Sequence, residues 1–453
     1  MEQGIEGHHQ RGRSFILRMR ARFERMLTHA LSRDGALCCH WTDGAVSQLH
    51  NAWLRDHCQQ SLHTVSGQRS FELHHLSAHF MPDRVAVSDG GPALALRWPS
   101  IALPMSGHQS VASKLAPHTS AFDALWLQAA AGTSFSSITP PLSSAAVDTP
   151  WHPSDVRGRV EPTSTWGEVL PDGRSANEAH ALRCLRELRS RGFVLVSETP
   201  PTEAATQQLA SALGRLQGTF YGDGVWDVAP RDELRVIDTA YSNVELPLHV
   251  DGTYLQQQPG LQLFVCAEQA NTPAGWPAGG STKLADGFKA ARMLRDHHPV
   301  SYSYFCNTPL PWRHEGDVHM EHVSTVFDLH PATKHVIGMR YNALDRGPFV
   351  APHMTVHDEV GAFYEHARVL EGILRELELS IRLEPGDALL VDNHRVLHGR
   401  HIFAGNRAMV GCYMNRDDWL SRWRMLEARA NAGSAEAETN FFGEKRLKKS
   451  SIY

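Results

Sequence analysis

Three residues of this sequence, His249, Asp251 and His398, have the types and spacing of a metal-binding triad. His249 and Asp251 are separated by one residue, so in an extended segment their side chains point to the same face. Two imidazoles and one carboxylate that leave other coordination positions open form the facial triad of non-haem Fe(II) oxygenases. The sequence therefore predicts an iron centre that can activate oxygen.

Other histidine and carboxylate pairs are weaker candidates. The chain has 28 histidines, so a His-x-Asp step can arise by chance, and His-x-Glu also occurs at His319/Glu321 and His357/Glu359. The second pair is predicted to begin a long helix, where residues two apart diverge. The first pair is predicted to lie in a polar loop. Any one of these histidines can instead be an ordinary hydrogen-bonded residue, so the interpretation depends on the neighbours of the triad.

Two arginines, Arg400 and Arg407, follow His398. A 2-oxo acid binds iron through its keto and C1 carboxylate oxygens, and its distal carboxylate then needs a cation. Arginine supplies a planar, two-pronged donor for that group. Arg407 falls on the strand expected after His398, Arg400 can assist, and Thr282 offers a hydroxyl. The set predicts 2-oxoglutarate as co-substrate, whereas a lone arginine is more often part of a surface ion pair.

Longer segments around these residues resemble the γ-butyrobetaine/trimethyllysine hydroxylase family. They are IDTAY at 237–241, LHVDGTY at 248–254, DGF at 286–288 and DNHRVLHGR at 392–400. RYN at 340–342, DR at 345–346 and GCYMNRDD at 411–418 resemble more closely the members that act on trimethyllysine. Residues 53–69 resemble the N-terminal domain of the family. The resemblance extends from about 50 to about 430 and leaves out 130–175, which it marks as an insertion.

The resemblance implies an enzyme that uses Fe(II) and 2-oxoglutarate, with ascorbate as the reductant. The expected reaction is hydroxylation of N6,N6,N6-trimethyllysine at C3, the first step of carnitine biosynthesis, by a homodimer. The implied iron ligands are His249, Asp251 and His398, and the residues implied around 2-oxoglutarate are Arg407, Arg400 and Thr282. No catalytic residue is expected beyond the metal ligands.

An aromatic cage is expected to hold the trimethylammonium group of the substrate, because this group cannot donate a hydrogen bond. Proteins bind such cations against aromatic faces, at about 0.5–2 kcal/mol per contact. The resemblance maps the cage onto four aromatic residues: Tyr221, Trp226, Tyr241 and Tyr413. Each can instead be a core aromatic residue. The spacing from Tyr221 to Trp226 is also one residue longer than in butyrobetaine hydroxylases.

Asp238 and Asn342 are expected at the other end of the substrate. The α-ammonium of trimethyllysine would be attracted by Asp238, whereas γ-butyrobetaine carries only a carboxylate there and would be repelled. Asn342 is the candidate for binding the α-carboxylate. The sequence thus favours trimethyllysine, and the alternatives are a γ-butyrobetaine hydroxylase and a non-catalytic betaine-binding protein. Asp238 can also be a structural turn or salt-bridge residue.

The sequence departs from the family at two places. Family members often carry a zinc site of clustered cysteines in the N-terminal domain, but the companions of Cys58 are missing here. A structural zinc is therefore not expected, although Cys58, His63, His74 and His75 can in principle bind a metal. His394 stands where relatives carry tryptophan.

Composition excludes several other classes of protein. The 453 residues include 44 Lys+Arg and 49 Asp+Glu, a net charge of −5, which offers no basic surface for nucleic acid or an anionic membrane. No apolar run reaches the ~20 residues needed to span a bilayer. The seven cysteines have no regular spacing, which indicates a reducing intracellular compartment. Residues 11–25 are arginine-rich, as in mitochondrial presequences, but such peptides are poor in acidic residues and Glu2, Glu6 and Glu24 are acidic here, so mitochondrial matrix and cytoplasm stay open.

The elements that must position these residues are mainly strands. Apolar runs predict strands at 192–196, 261–265, 381–383 and 388–391, and helical patterns cover 176–189, 202–213, 358–377 and 419–429. This composition predicts a mainly β fold with flanking helices: a double-stranded β-helix, or jelly roll, plus a small β-rich N-terminal domain. The expected divisions are an extension at 1–29, the N-terminal domain at 30–115, a linker or insertion at 116–175, the oxygenase domain at 176–432 and a tail at 433–453.

Overall fold

The chain divides into two compact units, Met1–Pro140 and Pro141–Tyr453. The computed structural model describes residues 26–58, 60, 77, 79–102, 114–115, 117–131, 149–156, 160–228, 243–269, 279–316, 318–347 and 358–432. Within these ranges no helix is long and apolar enough to cross a membrane. Residues 1–25 of the extension predicted at 1–29, the histidines His63, His74 and His75 and the predicted tail from 433 lie outside the described residues.

The first unit is built from short antiparallel strands. Its strands are β1 (Leu27–Arg33), β2 (Ala36–Trp41), β3 (Val46–His50), β4 (Arg84–Val87), β5 (Ala93–Trp98), β6 (Ile101–Ala102), β7 (Lys114–Leu115) and β8 (His118–Asp123). Its helices are α1 (Asn51–Asp56) and α2 (Ala124–Ala131). The sheets are ordered β1-β2-β3, β4-β5-β8 and β6-β7. The predicted boundary at 115 falls inside this arrangement, because β8 pairs along its whole length with β5.

The second unit carries the larger set of elements. Its strands are β9 (Ser164–Thr165), β10 (Phe193–Ser197), β11 (Val225–Val228), β12 (Leu246–His249), β13 (Leu261–Glu268), β14 (Thr282–Asp286), β15 (Leu310–Glu315), β16 (His319–Ser324), β17 (Phe327–Leu329), β18 (Val336–Met339), β19 (Leu379–Ile381), β20 (Ala388–Asp392), β21 (Val396–Arg400) and β22 (Ala408–Met414). Its helices are α3 (Trp166–Val169), α4 (Glu178–Arg191), α5 (Glu203–Leu213), α6 (Gly287–His297), α7 (Pro299–Asn307), α8 (Asp358–Glu376) and α9 (Arg416–Ala432), with 3-10 turns at Pro153–Asp155 and Ala343–Asp345.

Eight strands of this unit follow the path of a jelly roll. One sheet has the order β11-β22-β13-β20-β10-β9 and the other the order β12-β21-β14-β19. Along the chain the strands alternate between the sheets, from β11 to β12 to β13 to β14 and again from β19 to β20 to β21 to β22. Leu263 and Leu390 of the first sheet share one core with Leu284 and Val396 of the second. The predicted double-stranded β-helix is therefore confirmed.

Helices α4, α5 and α9 pack against the core that includes the six-stranded sheet. Leu185 of α4, Leu209 of α5 and Trp423 of α9 belong to the same core as the strands. Helix α5 is capped at its N-terminus, because Thr202 Oγ1 accepts a hydrogen bond of 3.2 Å from the Ala205 amide. Helix α4 ends at Gly192, whose φ of +80° is left-handed. A Cβ there would approach Val396 Cγ2 to 2.5 Å, so only glycine fits between helix and sheet.

An insertion between β14 and β19 holds α6, α7, β15 to β18 and α8. It includes one correction to the sequence analysis. His319 and Glu321 lie in β16, paired with β15, rather than in a polar loop. The exposure along β16 alternates only between exposed and half-buried, so this strand has no buried face for the sequence to show.

Candidate metal centre

The jelly roll brings His249, Asp251 and His398 together. His249 is the last residue of β12 and pairs directly with His398 of β21, which places the two ring centroids 4.5 Å apart. Asp251 Oδ1 lies 3.2 Å from His249 Nε2, and Asp251 Oδ2 lies 3.5 Å from His398 Nε2. One ligand atom from each residue lies within 4.8 Å of the others, and no other such group is found among the described residues.

Hydrogen bonds fix the orientation of His249 and Asp251. His249 Nδ1 lies 2.7 Å from the Pro247 carbonyl oxygen and donates to it, so Nε2 is the nitrogen left for a metal. The Asp251 amide donates to Asn393 Oδ1 at 2.8 Å, and Asn393 Nδ2 donates to the Asp251 carbonyl at 2.9 Å. The backbone of the aspartate is therefore held on both its donor and its acceptor side.

Two further side chains hold the Asp251 carboxylate. Tyr413 donates its hydroxyl to Asp251 Oδ2 at 2.8 Å, and Gln262 Nε2 donates to the same oxygen. The sequence analysis assigned Tyr413 to the substrate only and did not single out Gln262. A signal for Gln262 was present, since it is the polar residue in the buried run of β13. A polar side chain inside a buried strand needs a hydrogen-bond partner.

Charge within the triad keeps the carboxylate ionised, which is the state that a metal ligand needs. Burial alone would raise the pKa of Asp251, but the two imidazoles outweigh it and hold this pKa far below its usual range. Burial would lower the pKa of His249, but Asp251 raises it to about 9. Burial lowers the pKa of His398. Asp251 is thus an ionised acceptor.

The donor set fits iron. Two imidazole nitrogens and one carboxylate oxygen that converge from a strand pair and the residue just beyond it leave one side of a metal open. The side chain of His398 is buried. Its Nδ1 is a buried nitrogen with no hydrogen-bond partner among the described residues. The three residues of the triad help to line a cavity that opens to solvent, and the space within it and at its mouth is about 960 Å³.

A buried cation lines the same cavity. Arg407, just before β22, is 7% exposed and donates Nε to the Gly280 carbonyl at 3.2 Å. Burial lowers its pKa to about 10, with Cys266 opposing the shift, so the guanidinium stays charged at neutral pH. No carboxylate of the described residues forms an ion pair with it. A buried guanidinium of this kind is suited to an anionic ligand.

The other two residues predicted to bind 2-oxoglutarate are Arg400 and Thr282. They are direct partners in the pairing of β14 with β21, and both line the cavity. Arg400 Nη2 donates to the Val244 carbonyl at 3.0 Å, and its Cζ lies 4.8 Å from the centre of the Phe403 ring. The structure therefore places all three predicted 2-oxoglutarate residues in one cavity with the triad.

Three of the predicted cage residues also lie together. The ring centroids of Trp226 and Tyr413 are 4.5 Å apart, and those of Tyr221 and Trp226 are 5.9 Å apart. All three line the cavity. The fourth, Tyr241, and the predicted Asp238 lie outside the described residues.

The wall of the cavity includes one further residue that was predicted from the sequence and two that were not. The predicted Asn342 is a lining residue. Tyr254 and Asp345 also line the cavity but were given no role from the sequence. His394, in contrast, is not a lining residue. Its Nδ1 lies 3.2 Å from Arg416 Nη1, and burial followed by the Arg416 charge lowers its pKa to about 3, which keeps it neutral.

Comparison with known proteins assigns both units to families. Residues 159–413 match the taurine catabolism dioxygenase TauD, TfdA family. Residues 29–107 match the family described as gamma-butyrobetaine hydroxylase-like, N-terminal.

Several curated relatives are similar over most of the chain. A trimethyllysine dioxygenase of Neurospora crassa is 33% identical over 59% of this chain, and the alignment spans 62% of that protein, which is less than two thirds of its length. A mitochondrial trimethyllysine dioxygenase of Gallus gallus is 30% identical over 83% of each chain. A gamma-butyrobetaine dioxygenase of a Pseudomonas species is 28% identical over 88% of this chain and 96% of its own.

Proposed function

The chain belongs to the TauD, TfdA family and, within it, to the γ-butyrobetaine/trimethyllysine hydroxylases, and we propose that it hydroxylates N6,N6,N6-trimethyllysine at C3. This reaction is the first step of carnitine biosynthesis. As a member of that family the chain is a dioxygenase. One observation carries the proposal: the triad, a buried arginine that no described carboxylate pairs with and three packed aromatic rings line a single cavity.

Fe(II) bound by His249, Asp251 and His398 would supply the oxygen chemistry, in which 2-oxoglutarate is converted to succinate and CO2 and the substrate gains a hydroxyl. The task of the protein is to hold both organic molecules beside that metal. Gln262 and Tyr413 keep Asp251 Oδ2 hydrogen-bonded, which fixes the carboxylate for metal binding. Ascorbate would serve as the reductant.

Arg407 would bind the distal carboxylate of 2-oxoglutarate. Its planar fork matches two carboxylate oxygens, and its position at the start of β22 puts it on the strand adjacent to β13 and β11. Arg400 and Thr282, paired across β14 and β21, would add a second cation and a hydroxyl to the same end. The burial of Arg407 keeps competing water away from the pair.

Tyr221, Trp226 and Tyr413 would hold the trimethylammonium group, together with Tyr241. Aromatic faces attract a cation that cannot form hydrogen bonds. Tyr413 would then contact both the trimethylammonium group and the metal-binding carboxylate, because its ring lies against Trp226 and its hydroxyl donates to Asp251. Asp238 would face the α-ammonium and Asn342 the α-carboxylate.

The test is mass spectrometry of products from the purified protein with Fe(II), 2-oxoglutarate and either trimethyllysine or γ-butyrobetaine. We expect a gain of one oxygen on trimethyllysine, at the C3 position, with one succinate formed per turnover. His249→Ala is the matched inactive control. A product from γ-butyrobetaine alone would establish the alternative substrate, and binding of either betaine without succinate formation would establish a non-catalytic binding protein.

The assembly and the compartment are also proposals. We propose a homodimer on the strength of the family membership, and mitochondria as the compartment on the strength of the Gallus gallus relative, whose name includes that location. Sedimentation of the purified protein and localisation of a tagged chain test them separately.

A further inference from the structure

The pairing of β12 with β21 contains an extra residue directly beside the triad. Leu246 pairs with Arg400 and His249 pairs with His398. The two residues between Leu246 and His249 on β12 therefore lie opposite the single residue Gly399 on β21. Two residues opposite one form a β-bulge, and bulges next to active sites often redirect a side chain.

This bulge decides which way the metal ligands of β12 face. Side chains alternate along a regular strand, so residues three apart point to opposite faces. Leu246 and His249 nevertheless both line the cavity, while Leu248 and Val250 lie in a second core that includes residues of the insertion. A shift of one residue reverses the face of every residue that follows it. In a regular strand that kept Leu246 in the cavity, His249 and Asp251 would point to the second core.

Gly399 leaves the space into which the bulge projects. A Cβ at this position would lie 2.7 Å from the Leu246 carbonyl oxygen and 2.9 Å from the Pro247 carbonyl oxygen. Both contacts are with backbone atoms, which cannot turn aside as the end of a flexible side chain can. A side chain at 399 would therefore push β12 away from β21. The Pro247 carbonyl is also the acceptor for His249 Nδ1, so this displacement would disturb the imidazole as well.

A buried lysine holds the bulged strand against the sheet. The pairing of β12 with β21 consists of two residue pairs, and Pro247 has no amide hydrogen to add to it. Lys283 of β14 pairs with Gly399 and is 5% exposed. Its ammonium forms an ion pair with Glu245, just before β12, and lies 3.4 Å from Glu378. Since β21 lies between β12 and β14, the ion pair with Glu245 spans it.

We propose that Gly399 is a positioning residue of the metal centre, because it admits the bulge that turns His249 and Asp251 into the cavity. The ion pair of Lys283 with Glu245 keeps the bulged strand in place. The inference rests on the proposed function, since it concerns the same metal centre. It adds to that centre residues that act only through the metal ligands.

The first test is Gly399→Ala in the full-length, metal-free protein. Residues that orient metal ligands typically contribute 10- to 100-fold in affinity. We expect the dissociation constant for Mn(II) to rise by about this factor, with free Mn(II) measured by electron paramagnetic resonance. The visible absorption of the protein saturated with Co(II) gives a second readout, because it depends on the number and geometry of the ligands. This spectrum should differ between Gly399→Ala and the wild type, which a loss of stability alone would not cause in folded protein.

Gly372→Ala is the matched control. Gly372 is exposed on α8, and a Cβ there would have no heavy atom within 4 Å. This variant should keep the wild-type affinity for Mn(II) and the wild-type Co(II) spectrum.

The second test is Lys283→Met, which removes the ion pair with Glu245 and leaves Gly399 and the bulge untouched. We expect a smaller loss of Mn(II) affinity than in Gly399→Ala, because β12 is loosened and not displaced. Lys334→Met, at an exposed position, is its control and should bind Mn(II) as the wild type does.

The outcomes separate this inference from the proposed function. Circular dichroism first shows whether each variant is folded. A folded Gly399→Ala with wild-type affinity and spectrum overturns the inference and leaves the proposed function standing. If Gly399→Ala does not fold, Lys283→Met decides, and an unchanged affinity in this variant overturns the inference. A wild type that does not bind the metal overturns the proposed function as well.

Discussion

Asn393 places the metal-binding carboxylate although it does not reach the metal site itself. Its side chain is fully buried, and it bonds with both the amide and the carbonyl of Asp251. Its Nδ2 also donates to the Pro259 carbonyl at 3.0 Å, and its own amide donates to the Gly260 carbonyl at 3.1 Å. The segment that follows β12 is thus fixed to the turn between β20 and β21.

Replacing Asn393 with alanine should weaken metal binding more than it changes the fold. The Asp251 backbone loses both of its fixed partners, and such supporting residues typically contribute 10- to 100-fold in metal affinity. We expect the dissociation constant for Mn(II), used as an oxygen-stable probe, to rise by about this factor in a titration followed by electron paramagnetic resonance. Asn307→Ala, on the exposed end of α7, is the control. An unchanged affinity for Mn(II) in folded Asn393→Ala would show that the hydrogen bonds of Asn393 to Asp251 stabilise only the fold.

The residues of the site differ in how far the sequence could predict them. His249, Asp251 and His398 could be predicted because an alternating strand brings i and i+2 to one face and because the three side chains are metal ligands by type. Asn393 and Gln262 could not be assigned their partners in this way. Their bonds to Asp251 depend on which segments the jelly roll places side by side, and spacing along the chain does not contain that information.

The elements of the jelly roll were largely predictable, since most of its strands are apolar runs. The strands expected at 192–196, 261–265 and 388–391 are confirmed as β10, β13 and β20. Outside the jelly roll, two strands that were not predicted lack an apolar face or alternate weakly. β16 has no buried residue, and β8 reads His-Thr-Ser-Ala-Phe-Asp, with burial of only Ser120 and Phe122. Such strands are held by pairing with a neighbour, which the local sequence does not show.

Helices α4 and α9 are joined by a two-pronged ion pair that should give the fold a measurable pH dependence. Arg186 donates Nε and Nη2 to the Glu427 carboxylate at 2.8 and 2.9 Å. The hydrogen bond from Arg186 lowers the pKa of Glu427, against an opposing effect of burial. A carboxylate whose pKa is lower in the folded state stabilises the fold above its unfolded pKa of about 4.3. That contribution is lost as the pH falls through the folded pKa.

Glu427→Gln should therefore destabilise the protein at neutral pH and lose its effect in acid. The Arg186 side chain is 51% exposed, so solvent screens the pair and the expected loss is about 0.5–1 kcal/mol at pH 7. Melting temperatures of wild type and variant, measured from pH 7 downwards, should converge below pH 4. Glu376→Gln, an exposed glutamate on α8, should follow the wild type throughout. A constant difference at all pH values would mean that packing, and not charge, is lost in Glu427→Gln.

The second unit as a whole is arranged so that one cavity collects groups from distant parts of the chain. Strands β12 and β21 bring the imidazoles, β14 and the start of β22 bring Thr282 and Arg407, and the insertion between β14 and β19 brings Asn342 and Asp345. The residues proposed to bind the metal, the co-substrate and the substrate thus lie on different elements. Binding of metal, co-substrate and substrate should therefore link these elements and stabilise the unit.

This linkage predicts a sequential rise in melting temperature as the ligands are added. A ligand at 100 times its dissociation constant stabilises the folded state by about 2.7 kcal/mol. We expect calorimetric scans under anaerobic conditions to show one increment with Fe(II), a second with 2-oxoglutarate only when the metal is present, and a third with trimethyllysine. A chelator should reverse all three. In His249→Ala the 2-oxoglutarate increment should disappear, and if it persists there, the co-substrate binds without the metal and the proposed site is incorrect.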